Sequence, residues 1–263
     1  MVSTHDNLRR VFQEGFSIRD IAQTLPSFDG TTPCQQVQAI MSDKGFEVAG
    51  VRTDGITSGF VEISDLAGGC CGEVARRFDE AQLAAETLPL APLVLRLKDQ
   101  PRLFVVTLGQ VGGVVTRFDM QKPPGRMWLF GMVTLIELRF GRMIEEYCPG
   151  EAWKEFLSEG RMQKAQDLSA ERRRRGQQVA LADCLQFADK VRIIASNDQL
   201  RNLTRFESKR QIEKVGKQLE TLRNNLAHAQ DIVAHDWDTI VALAEQVDSV
   251  LDGPRAMQDE ATQ

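Results

Sequence analysis

A strand–turn–strand pattern that ends in an aspartate occurs twice in the first half of the chain, and it restricts the possible folds more than any other feature. Residues 46–66 (FEVAGVRTDGITSGFVEISDL) predict two strands joined by a DG turn and then a helix start at Asp65. Residues 103–124 (LFVVTLGQVGGVVTRFDMQKPP) have the same layout, with Asp119 ahead of two prolines that suit a helix start. The two aspartates lie 54 positions apart, which predicts two copies of one αββα unit packed against each other.

The two halves of the chain differ in composition, which favours two domains. Residues 1–150 hold most of the glycine and proline, whereas residues 151–251 contain no proline and show the periodicity of long helices. We therefore predict an α+β fold in which the repeats occupy residues 1–147 and an all-α domain occupies residues 148–251. Residues 252–263 predict a mobile polar tail.

Composition excludes several classes of protein. No window approaches the roughly 18 consecutive apolar residues of a membrane span, and the N-terminus lacks the apolar core of a signal peptide, so we expect a soluble cytoplasmic protein. Five cysteines without a CxxC pair argue against a zinc site or a disulfide framework, and we expect neither a metal nor a required cofactor. The net charge is −5, but residues 161–217 hold 14 basic and 7 acidic residues. An acidic protein of this kind can still present a locally basic surface to a polyanion.

The aspartate that ends each hairpin has two interpretations. A hydroxyl residue and an aspartate at the start of a helix place a ribose-binding carboxylate beside backbone N–H groups suited to phosphate, which fits a nucleotide. The alternative is that each residue merely caps its helix.

The same segments resemble a known family. Residues 59–65 (GFVEISD) and 113–119 (GVVTRFD) look like the recurring motif of CBS domains, and the resemblance covers roughly residues 15–147. It implies a tandem pair that binds an adenine nucleotide (AMP, ADP or ATP) as a regulatory ligand. It further implies that Thr116 contacts phosphate or ribose and that Asp119 binds the ribose hydroxyls.

In the first repeat, the resemblance assigns the matching roles to Ser64 and Asp65. Two residues depart from the motif: Glu62 replaces the first repeat's threonine, where its charge would repel a phosphate, and Phe118 replaces the second repeat's second hydroxyl residue. The second repeat is therefore the better candidate for an occupied site.

A segment that follows the second repeat, residues 124–147, is apolar on most faces of its predicted helix. Such a helix packs against something beyond its own domain. CBS pairs commonly dimerise through helices of this kind, so we expect a homodimer. The alternative is a core helix of one large domain.

A long helix is predicted from a capping box at Ser208 to the neighbourhood of Asp236, with apolar residues spaced alternately three and four. On an ideal helix Arg223 and His228 are displaced by about 140° and do not share a face. Asn224, His228, Asp231 and His235 do share one. Either a reaching arginine or a second subunit would then complete a site that joins Arg223 to His228.

The segment LRNNLAH, within residues 180–232, resembles the RNxxxH signature and helical core of HEPN domains. Many of these are metal-independent endoribonucleases that act as dimers. The resemblance implies that Arg223 binds phosphate, His228 transfers protons and Asn224 shapes the site, with RNA as the substrate.

Rival interpretations remain open for this region. The helical domain could be a non-enzymatic adapter for dimerisation or partner binding, with Arg223 in a salt bridge and His228 bonded to Asn224. A metal site of His228, Asp231 and His235 is a further alternative. The arginine run at residues 172–175 fits either an RNA contact or a solvated helix face.

Overall fold

The computed structural model describes residues 4–204 and 206–252, and they form two compact units. The α/β unit is Gln13–Arg126, and the helical unit starts at Met127 and includes the N-terminal segment up to Phe12. The α+β fold class predicted from the sequence is confirmed. The domain boundary at residue 147 stays a prediction; the compact units divide after Arg126.

The α/β unit has eight strands and two helices of its own. The strands are β1 (Gln23–Thr24), β2 (Ser27–Asp29), β3 (Val48–Thr53), β4 (Ile56–Glu62), β5 (Arg76–Arg77), β6 (Leu83–Ala85), β7 (Arg102–Thr107) and β8 (Gln110–Thr116). With the N-terminal α1 (Thr4–Glu14) counted first, the helices are α2 (Cys34–Lys44) and α3 (Leu90–Asp99).

The strands form two four-stranded sheets of the same design. One sheet has the order β2-β3-β4-β5 and the other β1-β8-β7-β6. In each, a short strand runs parallel to the first strand of an antiparallel hairpin, with a helix as the crossover. A second short strand, β5 or β1, pairs antiparallel with the other edge of the hairpin. Strand β1 precedes both repeats in the chain yet completes the sheet of the second.

The repeat predicted from the sequence is confirmed in the register of the two hairpins. Val48 pairs with Glu62 in the first, and Arg102 pairs with Thr116 in the second, at equivalent positions. Both hairpins also carry an irregularity at equivalent places, between Val51 and Arg52 and between Val105 and Val106. The two halves of the unit therefore share backbone geometry as well as sequence pattern.

The predicted αββα unit is wrong in one respect, because no α-helix follows the first hairpin. A 3-10 turn at Ile63–Asp65 leads instead into an irregular segment that ends at β5. Gly68 and Gly69 have φ values of 154° and 69°, which do not fit a helix. Backbone hydrogen bonds tie this segment to the loop before α2, as from Cys71 N–H to the Thr32 carbonyl. A helix start at Ser64 and Asp65 is therefore replaced by a single turn.

Two apolar clusters fill the unit. One lies between α2 and its sheet and includes Val37, Met41 and Val61. The other joins the two sheets through buried side chains of both repeats: Leu25, Val48, Phe60, Phe104 and Val114. The rings of Phe60 and Phe104 lie 4.6 Å apart between centroids, so the hairpins face each other across an aromatic contact.

The helical unit contains α4 (Pro123–Tyr147), α5 (Glu159–Arg174), α6 (Phe187–Ser196), α7 (Asp198–Asn202), α8 (Lys209–Ala227) and α9 (Ile232–Asp252). Helix α4 begins in the α/β unit and continues into this one. Helices α6 and α8 approach closely at Gly216, where an added Cβ would lie 2.7 Å from Val191 Cγ2. The predicted tail lies outside the described residues from residue 253 onward.

The predicted long helix ends earlier than expected. Helix α8 stops at Ala227 with His228 as its C-cap, and Ala229 has a left-handed φ of 54°. Asp231 then accepts the backbone N–H groups of Val233 and Ala234, both at 2.9 Å, and so starts α9. The shared face predicted for Asn224, His228, Asp231 and His235 is therefore wrong, because a helix break separates them.

Candidate functional site

Asp119 is the centre of the turn that ends the second hairpin. Its side chain is 1% exposed, and Oδ2 accepts hydrogen bonds from the backbone N–H of Thr116 at 2.7 Å and from its hydroxyl at 3.0 Å. Oδ1 accepts a bond from Gln23 Nε2 at 2.7 Å and lies 2.9 Å from Lys122 Nζ. The carboxylate thus closes the turn and fastens β1 to β8, as expected for a buried charge with several donors.

Asp65 has the equivalent role in the first repeat but is more exposed, at 16% of its side chain. It accepts the backbone N–H of Glu62 at 2.9 Å and forms an ion pair with Arg76. This hydrogen-bonded carboxylate raises the pKa of Arg76. Arg76 pairs with Phe60 as Gln23 pairs with Val114, so an edge-strand side chain reaches the motif aspartate in both repeats. Ser64 is exposed.

Glu62 joins the two repeats. Its carboxylate forms an ion pair with Arg102 of the second hairpin and lies 3.5 Å from Arg76 NH1. Arg102 is the cross-strand partner of Thr116, so their side chains project from the same face of the sheet. Glu62 and Arg102 are 30% and 16% exposed, respectively. The ends of both hairpins therefore meet in one group of charged side chains.

Arg117 and Phe118 of the second motif have different surroundings from Thr116 and Asp119. Phe118 is 69% exposed, and Arg117 donates to the carbonyls of Leu97 and Lys98 at 2.8 and 2.7 Å. Phe118 stands where the first repeat has Ser64, and it gives the second turn an exposed aromatic ring two residues after Thr116. Such a ring can stack on a base.

The structure adds residues that motif reasoning missed. Gln23, Arg76, Arg102 and Lys122 contact the motif carboxylates or Glu62, although none belongs to either motif. These ion pairs form two groups: Arg76 and Arg102 stand against Glu62 and Asp65, and Lys122 stands against Asp119. Hydroxyl, amide and guanidinium donors beside such ion pairs are suited to binding a charged ligand. Arg102 could have been found only from the strand pairing that the two hairpins share, because that pairing places it opposite Thr116.

The predicted catalytic residues of the helical unit have different surroundings. Arg223 donates to Glu137 Oε2 of α4 at 3.1 Å, and Glu137 Oε1 lies 3.4 Å from Lys190 of α6. Lys190 is 8% exposed, so this group ties three helices together. His228 and Asn224 are exposed; the His228 N–H donates to the Asn224 carbonyl, and the His228 carbonyl accepts a bond from Gln230 Nε2 at 3.4 Å. Arg223 is thus engaged with α4, while His228 lies beyond the last turn of α8.

The described part of the chain contains no group of three or more His, Cys, Asp and Glu side chains arranged to hold a metal ion. All five cysteines are free thiols, four of them buried, and burial raises the pKa of Cys71 and of Cys148. Among the described helices, none has the length and apolar character needed to cross a bilayer.

Comparisons with known proteins give a partial likeness only. No family model matches the chain, and no curated protein matches it. The solved CBS-pair protein CBSX2 from Arabidopsis thaliana is 17% identical, with 40% of this chain and 90% of that one covered and a TM-score of 0.35. A structure of CBSX2 in complex with AMP is 21% identical, with 40% and 93% covered and a TM-score of 0.34.

A third solved structure, CbpB in complex with c-di-AMP, is 17% identical, with 44% of this chain and 88% of that one covered and a TM-score of 0.37. Likenesses at this level identify neither a ligand nor an activity for this chain. The function has to be judged on the repeated hairpins and the charged side chains where they end.

Proposed function

We propose that the α/β unit is a regulatory module that binds an adenine nucleotide at the end of the second hairpin, beside Thr116. The observation that carries this proposal is the position of the Thr116–Asp119 turn. It ends β8 where the two sheets meet, with Arg102 on the same sheet face and Lys122 bound to Asp119. AMP, ADP and ATP are the ligands that the CBS resemblance of residues 113–119 implies.

Lys122 gives the site a way to admit a ribose. Asp119 already accepts bonds from the protein's own donors, so a ribose hydroxyl must replace one of them. The Lys122 side chain is 36% exposed; its ammonium group is the charged donor on Oδ1 and also donates to the carbonyl of Ile21, so both contacts must open when it moves. We infer that its ammonium group moves to the nucleotide phosphate and leaves Oδ1 for the ribose. In the first repeat, Ser64 and Asp65 would form the lesser site, where Arg76 and Glu62 add their charges.

The surroundings of Arg223 favour the non-enzymatic alternative for the helical unit. A catalytic arginine must be free to meet a phosphate, but Arg223 is held by Glu137 in a group that also includes the buried Lys190. We propose that this unit transmits the nucleotide signal by protein contact, as a dimerisation or partner-binding element. The endoribonuclease interpretation would require Arg223 to leave Glu137 and meet His228, which caps the C-terminus of α8.

Exposed apolar side chains on α4 support a homodimer. Met127, Phe130 and Leu138 are 60%, 46% and 40% exposed, and their spacing of three and eight places them along one side of the helix. Exposed large apolar groups in a row are typical of a protein contact surface. We propose that a second copy of the chain covers this row.

Isothermal titration calorimetry with AMP, ADP and ATP tests the nucleotide proposal. We expect saturable binding of at least one of the three by the wild-type chain, weakened roughly tenfold by Thr116→Val, because the substitution removes one hydroxyl contact. Thr107→Val is the matched control, since its hydroxyl bonds Glu86 at the far end of the same hairpin. Circular dichroism establishes that both variants are folded. Absence of binding for all three nucleotides would overturn the proposal.

A further inference from the structure

Glu62, Arg102 and Thr116 lie at the ends of strands β4, β7 and β8, at the place where the two sheets meet. Phe60, Phe104 and Val114 belong to the apolar cluster shared by the two repeats. Glu62, Arg102 and Thr116 each lie two positions from one of these residues along the same strand. Side chains two apart in a strand project from the same face. Glu62, Arg102 and Thr116 therefore point toward the opposing repeat, next to the aromatic contact.

Within this group, the carboxylate of Glu62 neutralises Arg102. The two side chains form a direct ion pair, and the second Glu62 oxygen lies 3.5 Å from Arg76. Arg102 is 16% exposed, and a partly buried guanidinium requires an anionic partner. Without Glu62, Arg102 would lose its ion-pair partner, while Arg76 would keep Asp65. A carboxylate and a phosphate present similar oxygens to the donor fork of arginine.

We propose that Glu62 is an internal anion that holds the phosphate-binding arginine of the second repeat, and that a nucleotide binds beside Thr116 by displacing it. This inference rests on the proposed function. The contact is autoinhibitory: a ligand must carry enough negative charge on its phosphates to replace the Glu62 carboxylate. It also sets specificity, because adenosine has no group that can take the place of Glu62 on Arg102.

The same contact couples the repeats. Glu62 precedes the 3-10 turn of the first repeat, and its backbone N–H donates to Asp65 at 2.9 Å. When a phosphate takes Arg102, the Glu62 side chain is left with Arg76, which already binds Asp65. Occupation of the second site thereby changes the charge balance around the first motif. Binding of one nucleotide can thus affect both hairpins.

Calorimetric titration of the full chain with ATP, ADP, AMP and adenosine tests the inference. We expect Glu62→Gln to tighten ATP binding by about tenfold, since the competing charge is lost while the side chain keeps its shape. Adenosine binding should be unchanged by the same substitution. Glu80→Gln is the matched control, because Glu80 is exposed in the same unit and its charge lies outside the cluster; we expect it to leave every affinity as in the wild type.

Two further variants make the result specific. Glu62→Thr places in the first repeat the residue type of the second, and it should also tighten ATP binding. In the double variant Glu62→Gln with Arg102→Gln, the gain should disappear, because the phosphate has lost the cation that Glu62 otherwise neutralises. Melting curves of each variant establish that the chain is folded.

The outcomes separate the inference from the function on which it rests. If the wild-type chain binds ATP and neither Glu62 variant binds it more tightly, the internal-anion inference is overturned and the nucleotide proposal stands. If wild type, Glu62→Gln and Glu62→Thr all fail to bind ATP, ADP and AMP, both are overturned. A gain for adenosine equal to that for ATP would also contradict the inference, because it would show that the phosphates play no part.

Discussion

Asp119 and Asp65 occupy equivalent positions in the two repeats, yet their carboxylates differ in burial, at 1% and 16% exposed. Each closes a turn by accepting the backbone N–H three residues earlier. Only Asp119 is also bound by an amide and an ammonium group in the unit's interior. Asp119, which we expect to bind ribose, therefore also stabilises the fold.

Replacement of Asp119 should lower the stability of the fold even without a nucleotide. We expect Asp119→Asn to lower the free energy of unfolding by about 3 kcal/mol, because Lys122 and three other donors lose a buried charged acceptor. Asp65→Asn, with its more exposed ion pair, should cost about 1 kcal/mol. Urea denaturation followed by circular dichroism measures both. Equal losses for the two variants would contradict the structural role assigned to Asp119.

Arg223 is a second residue whose surroundings redirect its interpretation. We expect Arg223→Ala to destabilise the chain by about 1 kcal/mol, because Glu137 loses a part-buried partner, and His228→Ala to change stability by less than about 0.5 kcal/mol. A double-mutant cycle with Glu137→Ala should show that the Arg223 and Glu137 effects are coupled.

An RNA-cleavage assay could contradict the adapter interpretation of the helical unit. If purified wild-type chain cleaves RNA, and both Arg223→Ala and His228→Ala abolish cleavage without a change in unfolding energy, the adapter interpretation is wrong. An effect on stability confined to Arg223, with no cleavage by any form, is the result we expect.

Helices α6 and α8 owe their close approach to Gly216. A Cβ there would lie 2.7 Å from Val191 Cγ2, so we expect Gly216→Ala to lower the melting temperature by separating the helices, at a cost of about 2 kcal/mol. Gly160 in α5 is the control: an added Cβ meets no heavy atom within 4 Å, and alanine there should stabilise by about 0.5 kcal/mol.

A compensating substitution tests the cause. Val191→Ala removes the methyl groups that the new Cβ would meet, so the double variant should cost less than the sum of the single ones. Additive effects would mean that the two helices do not meet at these residues.

Local signals predicted some elements well and others poorly. Both hairpins follow from alternating apolar strands and glycine-bearing turns, which depend on a few neighbouring residues. The missing helix after Asp65 depends on backbone bonds to the loop before α2, which no local signal reveals. The end of α8 was missed because the apolar spacing continues past His228, while Ala229 takes a left-handed conformation that its residue type does not favour.

Local sequence signals also predicted only part of the site, because some of its residues meet through the packing of the whole molecule. The motif indicated Thr116 and Asp119, since their chemistry lies in consecutive residues. Gln23 and Glu62 come to the site through strand pairing and the packing of two sheets, at separations of 96 residues from Asp119 and 40 residues from Arg102. Long-range partners of this kind become visible only when the register is known.

Assembly is a property of the whole molecule. We expect the chain to sediment as a dimer, and Phe130→Glu to convert it to a monomer, because a charge in the exposed row of α4 opposes burial of that surface. Thr134→Ser is a mild control on the same helix. Sedimentation velocity decides: a wild-type monomer, or a dimer unaffected by Phe130→Glu, would show that α4 does not carry the contact.

Hydrogen–deuterium exchange of the full chain, with and without saturating ATP, tests the central claim most directly, because it locates a ligand without a substitution. If the second repeat binds nucleotide, amides of residues 113–122 and of Gln23 and Thr24 become slower to exchange, since the turn and its edge strand are held by the ligand. Residues 59–65 should change less. Unchanged exchange throughout the α/β unit at saturating ATP, or protection confined to the helical unit, would contradict the account.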